Sequence, residues 1–193
     1  RPARSPMRID LGNTVGPGPS PGVSRDRLDE LDEAVAEAHD RIAAGRTDDE
    51  YGYAALNLPS AVDVEAIDEA VKPLSGAKTV LTIGIGGSAL GARTVTAALG
   101  GEHYALDNVD PAATRSLLDR LDVEDLALHV VSRSGTTVET LANFLVVREA
   151  MDSAGVDWTS RTLVTTGETG PLDRLADEHG LSRLPVPAGV PGR

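Results

Sequence analysis

The sequence predicts an α/β fold in which a parallel, doubly wound sheet follows a helical segment. From Lys78 onward, short apolar runs alternate with stretches of helical periodicity, as strands alternate with the crossover helices of a parallel sheet. Between Ser24 and Leu74, in contrast, the apolar residues recur only at helical spacing. Together these observations predict one sheet with helices on both faces, the three-layer arrangement of flavodoxin-like and Rossmann-like proteins.

Three regions are predicted along the chain. Residues 1–24 are rich in Gly and Pro, which indicates a flexible arm, and residues 1–6 are interpreted as a tag or as sequence upstream of a start at Met7. Residues 25–73 are predicted to form a helical prelude, and residues 74–193 a sheet domain that is cut short at its C-terminal end.

The prelude is predicted to hold a long helix and a shorter one. Ser24 is the predicted N-cap of the first helix, and Gly45 is its predicted end. The apolar residues of this helix recur at helical spacing: Leu28, Leu31, Val35, Ala38 and Ile42. His39 lies among charged residues there and is predicted to be solvated. The second helix is predicted in "VDVEAIDEAVKPL".

The sheet domain is predicted to contain five strands separated by four helices. In order, these are the strand "KTVLTIGI", a helix over 89–99, the strand "EHYALDNV", the helix "DPAATRSLLDRL", the strand "DLALHVVS", the helix "TTVETLANFLVVREAM", the strand "RTLVTTG", the helix "GPLDRLADEHG" and the strand "SRLPVP". Asp110 and Pro111 are the predicted N-cap and first-turn residue of one helix, and Gly180 is the predicted stop of another. Right-handed crossovers place the loops that follow the strands along one edge of the sheet, where ligands bind.

The composition argues against several classes of protein. The formal net charge is −12, so nucleic acid and anionic membranes, which both need cationic surfaces, are not expected as partners. The chain has no cysteine, which leaves no disulfide or thiolate metal site to propose. No apolar run approaches the roughly 18–20 residues of a spanning helix. We therefore expect a soluble, cytoplasmic protein.

Arginine is much more frequent than lysine among the basic residues of this chain. Only Lys72 and Lys78 are lysines, all other basic side chains being arginine, and aspartate is abundant. This pattern is typical of proteins from salt-loving organisms, in which strong screening makes dense negative charge tolerable. Codon use in a GC-rich genome is the alternative explanation, and the sequence leaves both open.

A glycine-rich loop, "GIGGSALG", follows the first strand. Glycines allow bare N–H groups to approach an anion at a helix N-terminus, so Gly86, Gly87 and Ser88 are candidate phosphate-binding residues. A tight turn without a ligand is one alternative. A dinucleotide site is another, because Gly84, Gly86 and Ala89 fit G-x-G-x-x-A, and Asp107 follows Gly84 by 23 residues. A nucleoside-triphosphate loop is disfavoured because the lysine that it needs is absent.

A second polar loop, "SRSGTT", follows the third strand. Its side chains provide four hydroxyl groups and one guanidinium group at the head of the next helix: Ser132, Arg133, Ser134, Thr136 and Thr137. Such a set can bind a phosphate monoester. The alternative is an ordinary helix cap, with Thr136 and Glu139 in a capping box. Because both loops lie at one edge of the sheet, a small sugar phosphate fits better than an extended dinucleotide.

The two loops resemble those of a known family. "IGIGGSALG" and "SRSGTTVET" are similar to the G-I-G-G-S-x-L-G and S-K-T-x-T-T-x-E-T loops in the first sugar-isomerase (SIS) domain of the glucose-6-phosphate isomerase (phosphoglucose isomerase) family. "DNVDP" resembles the N-x-D element of this family, and "GVPGR" the start of its G-G-R-[FY]-S signature. The resemblance covers residues 74–193.

The resemblance implies roles for individual residues. It places Gly87 and Ser88 beside the substrate, Arg193 on the negative charge of an enediolate intermediate, and four residues of the second loop on the phosphate: Ser132, Arg133, Ser134 and Thr137. Glu139, on the first helical turn after this loop, is predicted from its position to orient the loop. Two positions depart from the family pattern: Arg133 stands where lysine is usual, and Pro191 replaces the first glycine of G-G-R.

The implied activity is the interconversion of glucose 6-phosphate and fructose 6-phosphate, without a metal or redox cofactor, by a homodimeric full-length enzyme. The glutamate, histidine and lysine of the family lie beyond the G-G-R signature. We therefore expect this chain to bind a sugar phosphate without turning it over. Among local residues, Glu168 is predicted to be a turn residue, and His103, His129 and His179 lack metal-ligand spacing. A non-catalytic sugar-phosphate module and an NAD-binding oxidoreductase are the alternatives.

Overall fold

The computed structural model describes residues 14–15, 22–187 and 189–191. It divides the chain into two compact units, residues 1–50 and 51–193. Most of the predicted arm over 1–24 lies outside the described residues, including the six residues interpreted as a tag. The predicted boundaries at residues 24 and 73 remain predictions.

In its described residues the first unit contains two helices, α1 (Arg25–Asp29) and α2 (Asp32–Thr47), where the sequence predicted one long helix. The Ser24 hydroxyl accepts a hydrogen bond from the backbone N–H of Arg27 at 3.2 Å, so the predicted N-cap is confirmed. The predicted end at Gly45 is wrong, because α2 continues to Thr47. Backbone hydrogen bonds to Ala44 and Gly45 from the two residues Asp48 and Glu50 offset the roughly 1 kcal/mol that a helical glycine costs.

The second unit contains the remaining helices and every strand of the described sheet. The helices are α3 (Leu58–Ala61), α4 (Val64–Ala70), α5 (Gly87–Ala98), α6 (Pro111–Leu118), α7 (Val138–Ser153) and α8 (Pro171–His179), with short 3₁₀ turns at Ala54–Asn57, Lys72–Leu74, Val123–Asp125 and Thr159–Arg161. The strands are β1 (Thr79–Ile83), β2 (Tyr104–Leu106), β3 (Leu126–Ser132), β4 (Thr162–Thr166) and β5 (Ser182–Pro185).

The sheet is parallel throughout, with the strand order β2-β1-β3-β4-β5. This is the flavodoxin-like order among doubly wound folds, and it confirms the predicted fold class. β2 is only three residues long, shorter than predicted, because this edge strand pairs with β1 alone. The loops after β1 and β3 are neighbours, since these two strands lie side by side.

The main core lies on one face of the sheet. Alternate residues of β1 and β3 are buried there together with Phe144, Val147 and Met151 of α7. The Trp158 ring packs edge-on against Phe144, with 5.6 Å between the ring centroids. On the intervening positions, Thr82 of β1 pairs in register with His129 of β3, so the opposite face carries polar groups.

Two helix ends of the second unit, at Asp110 and Gly180, follow the predicted signals. An oxygen of Asp110 accepts hydrogen bonds from the N–H groups of Ala112 and Ala113 at 2.8 and 2.9 Å, and Pro111 is the first residue of α6. α8 ends at Gly180, which has the left-handed conformation, with φ of 63°. No helix in the described part of the chain is long and apolar enough to cross a membrane.

Candidate functional site

The glycine-rich loop connects β1 to α5, and this helix begins without a side-chain cap. The N–H of Gly84 donates to the carbonyl of Leu106 at 3.1 Å. A Cβ at Gly84 would lie 2.9 Å from the carbonyl oxygen of Val131, so only glycine allows this approach to β3. Gly86 is the N-cap of α5, with φ of 58°, and has no side chain to cap the helix. In the first turn, the N–H groups of Ser88 and Ala89 donate to the carbonyls of Ile85 and Gly86 at 3.2 and 3.0 Å. No side chain caps this helix N-terminus, so the helix dipole favours an anion there.

The second polar loop connects β3 to α7, and its hydroxyl groups bond to one another. Ser132, which is buried at the end of β3, donates to the Thr137 hydroxyl at 3.0 Å. The Thr136 hydroxyl donates to the Ser134 oxygen at 3.0 Å. Thr137 is the N-cap of α7, but no side chain accepts a cap hydrogen bond there. The alternative of a Thr136–Glu139 capping box is therefore not formed, and α7 also has an open N-terminus.

The β4–α8 loop holds the second polar loop in place. Three hydrogen bonds connect them: Gly167 N–H to the Arg133 carbonyl (3.0 Å), Leu172 N–H to the Gly135 carbonyl (3.1 Å) and the Thr166 hydroxyl to the Ser132 carbonyl (2.8 Å). Gly135 has φ of 65°, and a Cβ there would lie 3.0 Å from the Thr166 hydroxyl and 3.1 Å from the Thr169 carbonyl. The loop is thus fixed before any ligand binds.

The two loops face a common cavity of about 640 Å³. Its lining combines predicted and unpredicted residues: Tyr51, Ile85, Ser88, Arg133, Ser134, Thr137 and Pro191. The structure thus brings together four of the predicted site residues. Ser132 lies behind Thr137, and the other predicted residues of the described loops, Gly86, Gly87, Thr136 and Glu139, are exposed. Arg193 lies outside the described residues.

Arg133 dominates the charge of this cavity. Among the described residues that line it, no other side chain is charged, and none is a carboxylate. The guanidinium group, the hydroxyl groups and the N-termini of α5 and α7 all favour a bound anion. No group of three or more His, Asp or Glu side chains in the described regions could hold a metal ion.

Sequence reasoning missed Ile85 of the glycine-rich loop, and it also missed two lining residues outside both loops, Tyr51 and Pro191. The segments that carry them are connected by a hydrogen bond from the N–H of Gly52 to the carbonyl of Gly189, at 2.7 Å. The Cζ atom of Arg133 lies 6.0 Å from the centroid of the Tyr51 ring. No local pattern around Tyr51 signals a site, and only the scarcity of aromatic residues, 3% of the chain, distinguishes this position.

The histidines lie outside this cavity. His129 of β3 bonds through Nε2 to the Thr165 hydroxyl at 2.8 Å, so it is paired within the sheet. Burial, together with the smaller effect of the nearby His103, lowers the pKa of His129 to about 4. His39 is exposed on α2, as predicted.

A five-stranded parallel sheet whose strand ends open into one polar cavity defines a doubly wound α/β protein with its cleft at the carboxyl edge. The profile of the phosphoglucose isomerase family matches residues 65–167, which include both loops. The chain belongs to this family. The assignment confirms the resemblance of the two loops and does not favour the dinucleotide alternative.

Curated relatives extend the similarity over nearly the whole chain. The chain is 59% identical to a probable glucose-6-phosphate isomerase of Haloarcula marismortui, over 97% of its own length and 44% of the relative's. It is 62% identical to the corresponding protein of Halobacterium salinarum, over 97% and 45%. The chain therefore spans less than half the length of these relatives.

Solved structures superpose on this chain and share its fold. A hypothetical protein of Thermus thermophilus superposes with a TM-score of 0.76 and 32% identity, over 86% of this chain and 42% of the other. A glucose-6-phosphate isomerase of Chlamydia trachomatis superposes with a TM-score of 0.58 and 26% identity, over 67% of this chain and 26% of the other.

Proposed function

We propose that this chain is the sugar-phosphate-binding part of a glucose-6-phosphate isomerase, which interconverts glucose 6-phosphate and fructose 6-phosphate. The observation that carries the proposal is the cavity between the β1–α5 and β3–α7 loops, which presents one arginine, several hydroxyl groups and two uncapped helix N-termini. The names of the curated relatives support the same substrate.

In this proposal the second loop binds the phosphate group. Arg133 supplies the positive charge, and Ser134 and Thr137, which line the cavity, donate to the phosphate oxygens. Ser132 and Thr136 contribute to the phosphate site through their hydrogen bonds to Thr137 and Ser134. Gly86, Gly87 and Ser88 lie beside the sugar, where glycines let the chain approach closely. Glu139 orients the loop from the first turn of α7.

The isomerisation moves a proton between C1 and C2 of the open-chain sugar, through an enediolate. A carboxylate must accept and return this proton, and a positive charge must stabilise the enediolate. In the proposal Arg193 provides that charge. The described lining of the cavity offers no carboxylate, so we expect this chain to bind its ligand without turnover. A coupled assay that detects isomerisation by the purified chain would contradict this.

Replacing Ser132 or Thr137 by Ala tests the phosphate site. Thr137→Ala removes a hydroxyl donor that faces the anion, and Ser132→Ala removes the buried hydroxyl that donates to Thr137, so we expect each to weaken the binding of 6-phosphogluconate by about 1–3 kcal/mol. The measurement is isothermal titration in high salt. Ser153→Ala, at the far end of α7, is the matched control and leaves the affinity unchanged. If affinity also survives the two loop substitutions, these hydroxyl groups serve the fold only.

Two other functions predict different titrations. A stand-alone sugar-phosphate-binding module binds 6-phosphogluconate, and no isomerisation appears even in a longer form of the protein. A dinucleotide-binding protein binds NAD more tightly than the sugar phosphate. The flavodoxin-like strand order and the family of the chain argue against this second function.

We also propose that the full-length protein is a cytoplasmic homodimer. Apolar side chains remain exposed along a cavity of about 550 Å³ that α6 and α7 line, including Val109 and Val146, which are 51% and 50% exposed. Apolar surface of this kind is typical of faces that a second body covers. Light scattering on the full-length protein tests this: we expect a mass of two chains, and a mass of one chain would contradict the proposal.

A further inference from the structure

Arg133 is an unusual cation in this protein. The chain carries a net charge of −12, yet Arg133 has no carboxylate within ion-pair distance among the residues that the structure describes. Its backbone is fixed, because its carbonyl oxygen accepts from the N–H of Gly167 at 3.0 Å. The side chain is exposed, and the structure gives it one aromatic contact.

That contact is the ring of Tyr51. The Arg133 Cζ atom lies 6.0 Å from the ring centroid, within the range of a cation–π interaction. An aromatic ring restricts a guanidinium group without neutralising it, whereas a carboxylate would cancel the charge that a phosphate needs. Tyr51 therefore matches the requirement of an arginine that must be held still and remain fully charged.

The position of Tyr51 is itself determined by the fold. The next residue, Gly52, donates its N–H to the carbonyl of Gly189 at 2.7 Å, and it has φ of 92°, a conformation that favours glycine. Tyr51 is 62% exposed, so its ring contributes little to the core. It lines the same cavity as Ser88 and Thr137. The ring therefore lies at the cavity wall and not in the core.

We propose that Tyr51 is a positioning residue, whose ring holds the Arg133 guanidinium toward the phosphate of the bound sugar. This inference rests on the proposed function, because it assigns to Tyr51 a share of the specificity for a phosphorylated ligand. It also explains how an arginine works at this place, since a planar guanidinium stacks on a ring and a lysine ammonium does so less well.

Binding of 6-phosphogluconate tests the proposal. Tyr51→Leu is expected to raise the dissociation constant about two- to fivefold, and Tyr51→Phe, which keeps the ring, is expected to leave it unchanged. In an Arg133→Lys background the effect of Tyr51→Leu should shrink. If Tyr51→Leu binds as the parent does, or causes the same loss in the Arg133→Lys background, the proposal is overturned.

A second readout needs no ligand. In the free protein, the Nε–H resonance of Arg133 in nitrogen–proton spectra should move on Tyr51→Leu, through loss of the ring current, and should stay near its place on Tyr51→Phe. An unmoved resonance also overturns the proposal. If the parent chain does not bind 6-phosphogluconate at all, the proposed function fails and this inference fails with it, whereas unchanged binding by Tyr51→Leu refutes the inference alone.

Discussion

Gly135 shows at the scale of one residue how the second loop is constrained. We expect Gly135→Ala to destabilise the fold by more than the roughly 1–2 kcal/mol of a left-handed alanine, because the new methyl group also meets Thr166 and Thr169. Gly155→Ala is the matched control: it has φ of 71° and nothing within 4 Å of the added atom. Urea unfolding measures both. Equal losses would show that the packing around Gly135 relaxes freely.

His129 gives the protein a pH dependence. Its pKa is about 4 in the folded state and near 6.5 in the unfolded chain, so the unfolded state binds the proton more readily between these values. The contribution of His129 to the free energy of unfolding is therefore fully present above pH 6.5. It is lost as the pH drops toward 4, by at most about 1.4 kcal/mol per pH unit. The free energy of unfolding, measured at several pH values over this range, should change less with pH for His129→Gln than for the parent. His39→Gln, on an exposed histidine, should retain the parental slope, and an identical slope in all three would contradict the assignment.

Residues of the site differ in how far the sequence could predict them. Ser88, Arg133, Ser134 and Thr137 were predictable, because their order after a strand and before a helix places them at one edge of a parallel sheet. Tyr51 was not, because its place in the cavity depends on contacts between segments that are far apart in the chain.

At the scale of an element, α6 depends on one side chain at its start. Asp110→Ala removes the acceptor of two hydrogen bonds, so we expect a loss of about 1 kcal/mol in the free energy of unfolding. Asp119→Ala, at the other end of the same helix, is the control, and it should be neutral or slightly stabilising because it removes a negative charge from the C-terminus. Similar losses in both variants would mean that the cap contributes nothing.

The elements were predictable where local chemistry sets their limits. Apolar runs marked β1 and β3, and Asp110 and Gly180 marked helix ends. The predicted end at Gly45 was wrong because the backbone hydrogen bonds of the helix continue beyond this residue, as the bond from Asp48 N–H to the Ala44 carbonyl shows. The length of β2 was also hidden from the sequence, since an edge position is a property of the sheet and not of the strand.

At the scale of the whole molecule, the net charge of −12 makes stability depend on salt. Repulsion between exposed carboxylates weakens as the Debye length falls from about 10 Å at 0.1 M salt to about 3 Å at 1 M. We expect the unfolding midpoint in potassium chloride to rise steeply over this range and then level off. A rise that stays linear to higher salt would indicate exclusion of salt from the surface instead of screening, and an unchanged midpoint would contradict the prediction.

The bond between Gly52 and Gly189 has a consequence for the order in which the protein forms. During synthesis the N-terminal part of the chain leaves the ribosome first, and the sheet from β1 to β4 can assemble as its strands appear. The cavity forms later, because the hydrogen bond that holds the segment of Tyr51 needs the carbonyl of Gly189, 137 residues after Gly52 in the chain. A nascent chain therefore has a largely formed sheet before its binding site is complete. A sugar phosphate that binds the complete cavity can stabilise only the last step of folding.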